Sequence, residues 1–263
     1  MENPQTVIFP EGGKDDIKKY VWGPWATIGF GIVITIVFFV IQIFLGFVFS
    51  FISVVSNPDG IPYSLDVTEF MSSYGGLLIA VASIVTAIFC VGLILIFVKA
   101  KTGASIKEYL GLRKISIGTI LILLVITLAF LMIFNIINVI FQVSGEDNTI
   151  VSIYETSMFP ALLWIAIVIF GPIFEEAFMR GFLFEGFRLS RIGAVGAITI
   201  TSLIWALFHI QYNLFGIFQI FVFGLILGIV RLKTKSLWSP VIMHSFFNFL
   251  VLLSIYINVT PNG

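Results

Sequence analysis

The stretch ALLWIAIVIFGPIFEEAFMRGFLFE, residues 161–185, reads as a membrane-spanning helix, yet Glu175, Glu176 and Arg180 interrupt its apolar run. A carboxylate or guanidinium at the bilayer centre costs about 2.5–3.5 kcal/mol on insertion scales. Nothing in the packing of a membrane helix requires that cost. The stretch therefore predicts a transmembrane helix that carries a functional polar site.

The composition of the whole chain agrees with a membrane protein. Of its 263 residues, 59% are hydrophobic and 11% are charged, and the mean hydropathy is +1.11. These values exclude an ordinary soluble domain, and a net charge of zero gives no support for nucleic-acid binding. Residues 1–22 are polar and do not resemble a signal peptide, so we expect one membrane-embedded domain over residues 1–263.

Apolar stretches of about 20 residues or more recur along the chain. They predict an all-α, polytopic bundle of about seven transmembrane helices, or eight if the long first stretch contains another element. The predicted spans are 23–51, 74–98, 117–142, 161–185, 193–211, 214–230 and 237–257. The polar residues discussed below lie within residues 161–257, which we therefore predict to be the catalytic helices.

Lysine and arginine residues occupy alternate connections between these spans. They are Lys14, Lys18, Lys19, Lys99, Lys101, Lys107, Arg113, Lys114, Arg188, Arg191, Arg231, Lys233 and Lys235, with Arg180 inside a span. The other connections and the C-terminus carry none. The positive-inside rule then predicts a cytoplasmic N-terminus, seven spans and an external C-terminus, in what we expect to be the plasma membrane.

Helical spacing assigns different roles to the two glutamates. Glu176 and Arg180 are four residues apart and can form an ion pair on one helix face. Glu175 points about 100° away from Glu176 and has Met179 at the equivalent spacing. Glu175 is therefore the candidate general base. The alternative is that all three charged residues belong to a structural polar network.

The two histidines of the chain, His209 and His244, also lie in apolar stretches. Trp205 precedes His209 by four residues and can orient its imidazole. Asn248 follows His244 by four residues, so the two side chains can present donors on one face. A carboxylate base, a water-holding histidine and a donor pair are the parts of an amide hydrolase.

A metal site uses overlapping residues. Glu175, His209 and His244 are the residue types of a three-ligand catalytic zinc site. The chain has no HExxH motif, in which two histidines on one helix share an ion. We therefore favour a site without metal or other cofactor, and zinc on these three residues remains the alternative.

Two further features bear on the geometry. Gly171-Pro172 is expected to loosen the helix and free backbone carbonyls, whereas Gly224 and Gly228 indicate ordinary helix packing. The predicted spans place His209 near the external end of its helix and His244 nearer the cytoplasm. These depths differ by more than a hydrogen bond allows, so the span 193–211 must be tilted or shifted, or have other boundaries.

The three motifs together resemble a known family. Glu175-Glu176-x-x-x-Arg180, Trp205-x-x-x-His209 and His244-x-x-x-Asn248, in this order, are similar to the motifs of the CPBP family of intramembrane proteases. That family includes the type II CAAX prenyl endopeptidases and bacterial proteins linked to bacteriocin self-immunity and peptide maturation. The motifs cover about residues 165–250, and the connection Tyr109-Leu110-Gly111-Leu112-Arg113 is also similar to the family's.

The resemblance implies roles for these residues. Glu175 and His209 would activate water, His244 and Asn248 would stabilise the oxyanion, and Glu176 and Arg180 would support the site. The family usually has Phe where this chain has Trp205, which indicates a narrower pocket. The arrangement of residues in that family suits a glutamate-dependent mechanism without a metal ion, although members have been called metalloproteases.

The predicted function is hydrolysis of a peptide bond within or at the edge of the bilayer. The substrate would be a peptide or a membrane-tethered protein, with a lipid if it is CAAX-like. The rival prediction is a non-proteolytic immunity or adaptor protein, or a proton-coupled transporter, in which the same residues form a polar network or relay. A protease requires a wet site where these side chains converge, whereas a transporter requires polar residues that line a path to both sides.

Overall fold

The computed structural model describes residues 20–56, 67–142 and 149–259, and within these ranges the regular structure is entirely helical. The helices are α1 (Pro24–Ser56), α2 (Val67–Ala100), α3 (Ile106–Tyr109), α4 (Ile117–Phe141), α5 (Thr149–Glu155), α6 (Pro160–Arg188), α7 (Gly193–Leu207), α8 (Leu214–Thr234) and α9 (Trp238–Val259). Most of the predicted polar segment 1–22 lies outside the described residues.

Among the described residues, six helices are long and apolar enough to cross a membrane: α1, α2, α4, α6, α8 and α9. The helix α7 is apolar but shorter. The predicted membrane bundle of about seven helices is therefore confirmed. Large apolar side chains on the outer faces of α1 and α4 are exposed, as a lipid environment requires.

The fifth predicted span, residues 193–211, differs from the structure. The helix α7 has 15 residues and ends at Leu207. A helix of this length rises about 22 Å, less than the hydrocarbon thickness of about 30 Å. The predicted span 193–211 is therefore wrong in its end and its length, and His209 lies in the turn after α7 rather than inside a membrane-spanning helix.

The helix α6 changes register twice. The segments Ala166–Phe170 and Ala177–Leu183 are π-helical, and the backbone N–H of Gly171 donates to the carbonyl of Ala166, five residues earlier. In that register the carbonyl of Ile167 would accept from residue 172, which is a proline without an N–H. The predicted release of a backbone carbonyl by Gly171-Pro172 is thus confirmed, at Ile167.

The connections that carry lysine and arginine meet at one end of the bundle. The N–H of Leu237 donates to the carbonyl of Gly111 at 2.8 Å, which joins the α8–α9 connection to the one before α4. Arg231, near the end of α8, contacts Glu185, near the end of α6, at 2.8 Å. Trp22 donates to a carbonyl in the last turn of α2. In the part of the chain that the structure describes, the connections that carry lysine and arginine thus lie together at this end.

The short helix α3 anchors this end to the core. Tyr109 is buried and stacks on Phe182, with ring centroids 6.0 Å apart. Burial raises the pKa of the Tyr109 phenol, so this side chain packs as a neutral ring. Gly111 has φ +68°, and a Cβ there would lie 2.6 Å from a guanidinium nitrogen of Arg231. Glycine is therefore required where Arg231 approaches this backbone.

Candidate active site

A fully buried ion pair forms the floor of the site. Arg180 Nη1 donates to Glu176 Oε1 at 3.0 Å, and neither side chain is exposed. The second terminal nitrogen of Arg180 donates to the carbonyl of Gly224 at 3.1 Å. The guanidinium also lies over the ring of Trp205, 4.7 Å from its centroid. The pair expected from the four-residue spacing is confirmed, and α8 contributes to holding it.

His244 joins this pair from α9. Its Nδ1 lies 2.9 Å from Glu176 Oε1, the oxygen that also accepts from Arg180. A carboxylate beside a guanidinium is an acceptor only, so we assign the proton to His244 Nδ1. His244 Nε2 then faces the neighbouring glutamate, 4.0 Å from Glu175 Oε2.

The two adjacent glutamates differ in exposure. The side chain of Glu175 is 27% exposed, whereas that of Glu176 is 0% exposed. As expected, no partner of Glu175 comes from the same turn of α6. Its partner comes from α7 instead, because the indole N–H of Trp205 donates to Glu175 Oε2. Glu176 is thus enclosed by partners, while Glu175 is fixed at one oxygen and still accessible.

His209 lies in the turn that follows α7. Its Nδ1 is 2.8 Å from the carbonyl of Trp205. A carbonyl can only accept, so Nδ1 carries the proton and Nε2 of the neutral ring is left as an acceptor. The ring of Trp205 meets His209 edge to face at 5.4 Å and His244 at 5.1 Å. Among the described residues, Trp205 is therefore the residue that connects His209 to Glu175 and His244.

Asn248 occupies the next turn of α9 beyond His244. Its amide nitrogen donates to the carbonyl of Ile167 at 2.8 Å, the carbonyl that Pro172 leaves without a helical donor. His244 and Asn248 both face α6, as their spacing predicts. They bond to different groups of α6, however, and one of the two amide hydrogens of Asn248 is used for its bond to Ile167.

Some contributors to the site are not visible in the sequence. The carbonyl of Gly224 supports Arg180, although Gly224 appeared in the sequence only as a packing glycine. Ser202 of α7 faces the same place, since a Cβ on Gly224 would lie 2.9 Å from that of Ser202. The bond from Trp205 to Glu175 had no sequence signal either, because any aromatic residue satisfies the spacing.

The three residues of the zinc alternative have different neighbours in the structure. Glu175 and His244 face each other, but His244 Nδ1 is bonded to Glu176 and His209 reaches the cluster only through Trp205. Within the described ranges, no group of three or more His, Cys, Asp or Glu side chains is arranged to hold a metal ion.

A separate cleft of about 560 Å³ lies between α4, α8 and α9. Its polar lining residues are Asn135, Asn138, Gln219 and Ser254. All four lie toward the ends of their helices that are farthest from the lysine- and arginine-bearing connections. The cleft therefore adds polar groups at one end of the bundle, and none of the seven predicted site residues lines it.

Comparison with known proteins bears on the second half of the chain. Residues 157–250 match the family model of the type II CAAX prenyl endopeptidase Rce1-like proteins, and all seven site residues lie within the match. An uncharacterized 24.3 kDa protein of Escherichia coli is 35% identical over 86 residues, which are 32% of this chain and 39% of that protein. No solved structure matches this chain.

The family match confirms the resemblance to the CPBP proteases that the three motifs indicated. The match covers residues 157–250, the part of the chain that contains the three motifs. The chain matches about two fifths of the length of its Escherichia coli relative, so the relative adds no activity to this conclusion.

Proposed function

We propose that this chain is a membrane-embedded endopeptidase in which Glu175 and His209 activate a water molecule. The observation that carries the proposal is the contrast between the two glutamates. Glu176 is enclosed by Arg180 and His244, whereas Glu175 stays 27% exposed beside them. A general base must reach a proton on water, and of the two carboxylates Glu175 has that access.

The first half of the reaction uses Glu175 and His209. The attacking water donates one hydrogen to Glu175 and the other to the unprotonated Nε2 of His209. Its oxygen adds to the carbonyl carbon of the scissile peptide bond as Glu175 takes the proton. Trp205 fixes both groups, because its indole N–H bonds to Glu175 and its carbonyl accepts from His209.

The second half uses His244 and Asn248. The oxyanion accepts hydrogen bonds from His244 Nε2 and from the second amide hydrogen of Asn248. For Nε2 to donate, His244 must carry protons on both nitrogens, and the carboxylate of Glu176 stabilises that imidazolium. The C–N bond then breaks as Glu175 returns the proton to the leaving nitrogen, which yields a carboxylic acid and a free amine. The acid then gives the second water proton to Nε2 of His209 and leaves as a carboxylate.

The substrate class follows from the position of the site within the bilayer. A peptide or membrane-tethered protein would place a bond near its terminus at Glu175, and a lipid on such a substrate would enter between helices. We further propose that the chain lies in the plasma membrane with its N-terminus in the cytoplasm, as the lysine and arginine distribution indicates.

The test compares new peptide termini in membranes that contain the wild-type chain or the Glu175→Gln variant. Glutamine keeps an acceptor for Trp205 but cannot take a proton, so we expect cleavage to fall by about 10²–10⁴-fold. Glu155→Gln is the matched control, because Glu155 is exposed and lies on α5, outside the site. We expect this variant to cleave like the wild type.

A zinc chelator added to the wild-type membranes distinguishes the glutamate-dependent mechanism from the zinc-dependent one. Termini that survive the chelator and disappear with Glu175→Gln support the glutamate-dependent mechanism. Loss of the termini with the chelator would favour the zinc alternative on Glu175, His209 and His244. Identical termini from wild type and Glu175→Gln would end the protease proposal in favour of an immunity, adaptor or transport role.

A further inference from the structure

A second cavity, of about 230 Å³, lies at the lysine- and arginine-bearing end of the bundle. It forms where the ends of α6 and α8 meet the connection between α2 and α4. Its charged lining residues are Glu108, Arg113, Glu185, Arg188, Arg231 and Lys235. Four cationic side chains thus face two carboxylates, which gives the lining a net charge of +2.

One of these carboxylates is already neutralised. Glu185 contacts Arg231 at 2.8 Å through one oxygen and Arg188 at 2.6 Å through the other. Arg231 is buried and also donates to the carbonyl of Arg180 at 3.1 Å. The inner wall of the cavity is therefore a fixed ionic network. This network of one carboxylate and two guanidinium groups carries a charge of +1, and the remaining +1 comes from Arg113 and Lys235 against Glu108. Arg113 and Lys235 are exposed at the rim.

The backbone holds the two rim residues together. Ser236, the neighbour of Lys235, donates its hydroxyl to the carbonyl of Arg113 at 2.5 Å. The N–H of Leu237 donates to the carbonyl of Gly111. Lys235 itself takes the left-handed conformation, with φ +56°, that ends α8. The cavity mouth is thus preorganised rather than formed by two independent flexible loops.

Three cationic residues of the cavity lie at or next to the ends of helices that are long and apolar enough to cross a membrane. Arg188 is the last residue of α6, Lys235 follows the last residue of α8, and Arg113 precedes the start of α4. Cationic residues at the ends of membrane helices lie in the headgroup region. Basic pockets between transmembrane helices are suited to anionic lipid headgroups.

We propose that this cavity binds the phosphate of an anionic phospholipid headgroup. Arg113 and Lys235 would contact the phosphate oxygens, and the guanidinium of Arg113 can donate two parallel hydrogen bonds. Phe184 and Leu232, which also line the cavity, would contact the apolar part of the lipid next to the phosphate. This site is independent of the proposed proteolysis and needs no residue of the candidate active site.

The test measures lipid retention by the purified full chain in non-ionic detergent, by native mass spectrometry. Phosphatidylglycerol and phosphatidylcholine are titrated separately, and we expect the anionic lipid to bind at least about tenfold more tightly. The double variant Arg113→Gln/Lys235→Gln is expected to remove this preference. Lys107→Gln/Lys233→Gln is the matched control, because both lysines are exposed at the same end and neither lines the cavity.

Each outcome decides the proposal. An undiminished preference in Arg113→Gln/Lys235→Gln would overturn it, provided that the thermal midpoint shows an intact fold. An equal loss in the control pair would show attraction by surface charge in general and would also overturn it. Displacement of the lipid by millimolar inorganic phosphate would identify a free-anion site instead of a lipid site.

Discussion

Asn248 is a residue for which the structure and the proposed mechanism indicate two different uses. One amide hydrogen satisfies the carbonyl of Ile167, which Pro172 leaves without a helical donor. The second is the one assigned to the oxyanion. A single substitution at Asn248 removes both bonds, so it cannot distinguish a positioning residue from a catalytic one.

A double-mutant cycle with Pro172 separates the two uses. Asn248→Ala should lower the stability of the chain in detergent by about 1–3 kcal/mol, because the carbonyl of Ile167 loses its donor. Pro172→Ala restores a backbone N–H within reach of that carbonyl. We therefore expect Asn248→Ala to cost about 1 kcal/mol less in the Pro172→Ala background, as measured by unfolding of all four proteins.

Cleavage by the same four proteins completes the argument. If Asn248 also donates to the oxyanion, the Pro172→Ala background restores stability but leaves cleavage reduced by about 10²-fold or more. Recovery of both stability and cleavage would show that Asn248 acts only by positioning α6. Additive stability effects would contradict the assignment of the Ile167 bond.

At the scale of helices, α7 and α8 approach closely enough that glycine is required. A Cβ on Gly224 would lie 2.9 Å from the Cβ of Ser202 and 3.0 Å from a nitrogen of Arg180. Gly224→Ala would therefore push α8 away from α7 and from the guanidinium. We expect a loss of about 1–3 kcal/mol in stability and a loss of cleavage, because Arg180 then holds Glu176 less firmly.

Gly92 provides the control for that prediction. It lies inside α2, about two turns before the helix ends, where a Cβ would meet nothing within 4 Å. Alanine at an unobstructed helical position is favourable by about 0.5–1 kcal/mol. Thermal unfolding in detergent should thus rank Gly92→Ala at or above the wild type and Gly224→Ala below it. Equal stability of the two variants would contradict the close approach of α7 and α8.

Periodicity and hydropathy were sufficient to predict most of the helices and the partner of Glu176. They predicted the pair with Arg180 because its members share one helix, where four-residue spacing determines contact. They did not predict that α7 ends at Leu207, because the apolar residues Phe208 and Ile210 extend the apolar pattern beyond the end of the helix. The hydrogen bond from Trp205 to Glu175 connects two helices. Spacing along the sequence gives no information about distances between residues on different helices.

At the scale of the whole molecule, the lysine- and arginine-bearing connections occupy one end and Glu155 of α5 belongs to the other. The positive-inside rule assigns the first end to the cytoplasm. Single cysteines test this assignment, because the native chain has only Cys90, which is buried and should not react. We choose Lys107→Cys and Glu155→Cys, since both positions are exposed.

Intact cells are treated with a membrane-impermeant maleimide before and after permeabilisation. Glu155→Cys should be labelled in intact cells, and Lys107→Cys should be labelled only once the membrane is opened. The native chain should remain unlabelled in both conditions, which controls for Cys90. The reverse pattern would place the basic end outside. It would also move the 230 Å³ cavity to the external leaflet, so the phospholipid proposal would then concern the lipids of that leaflet.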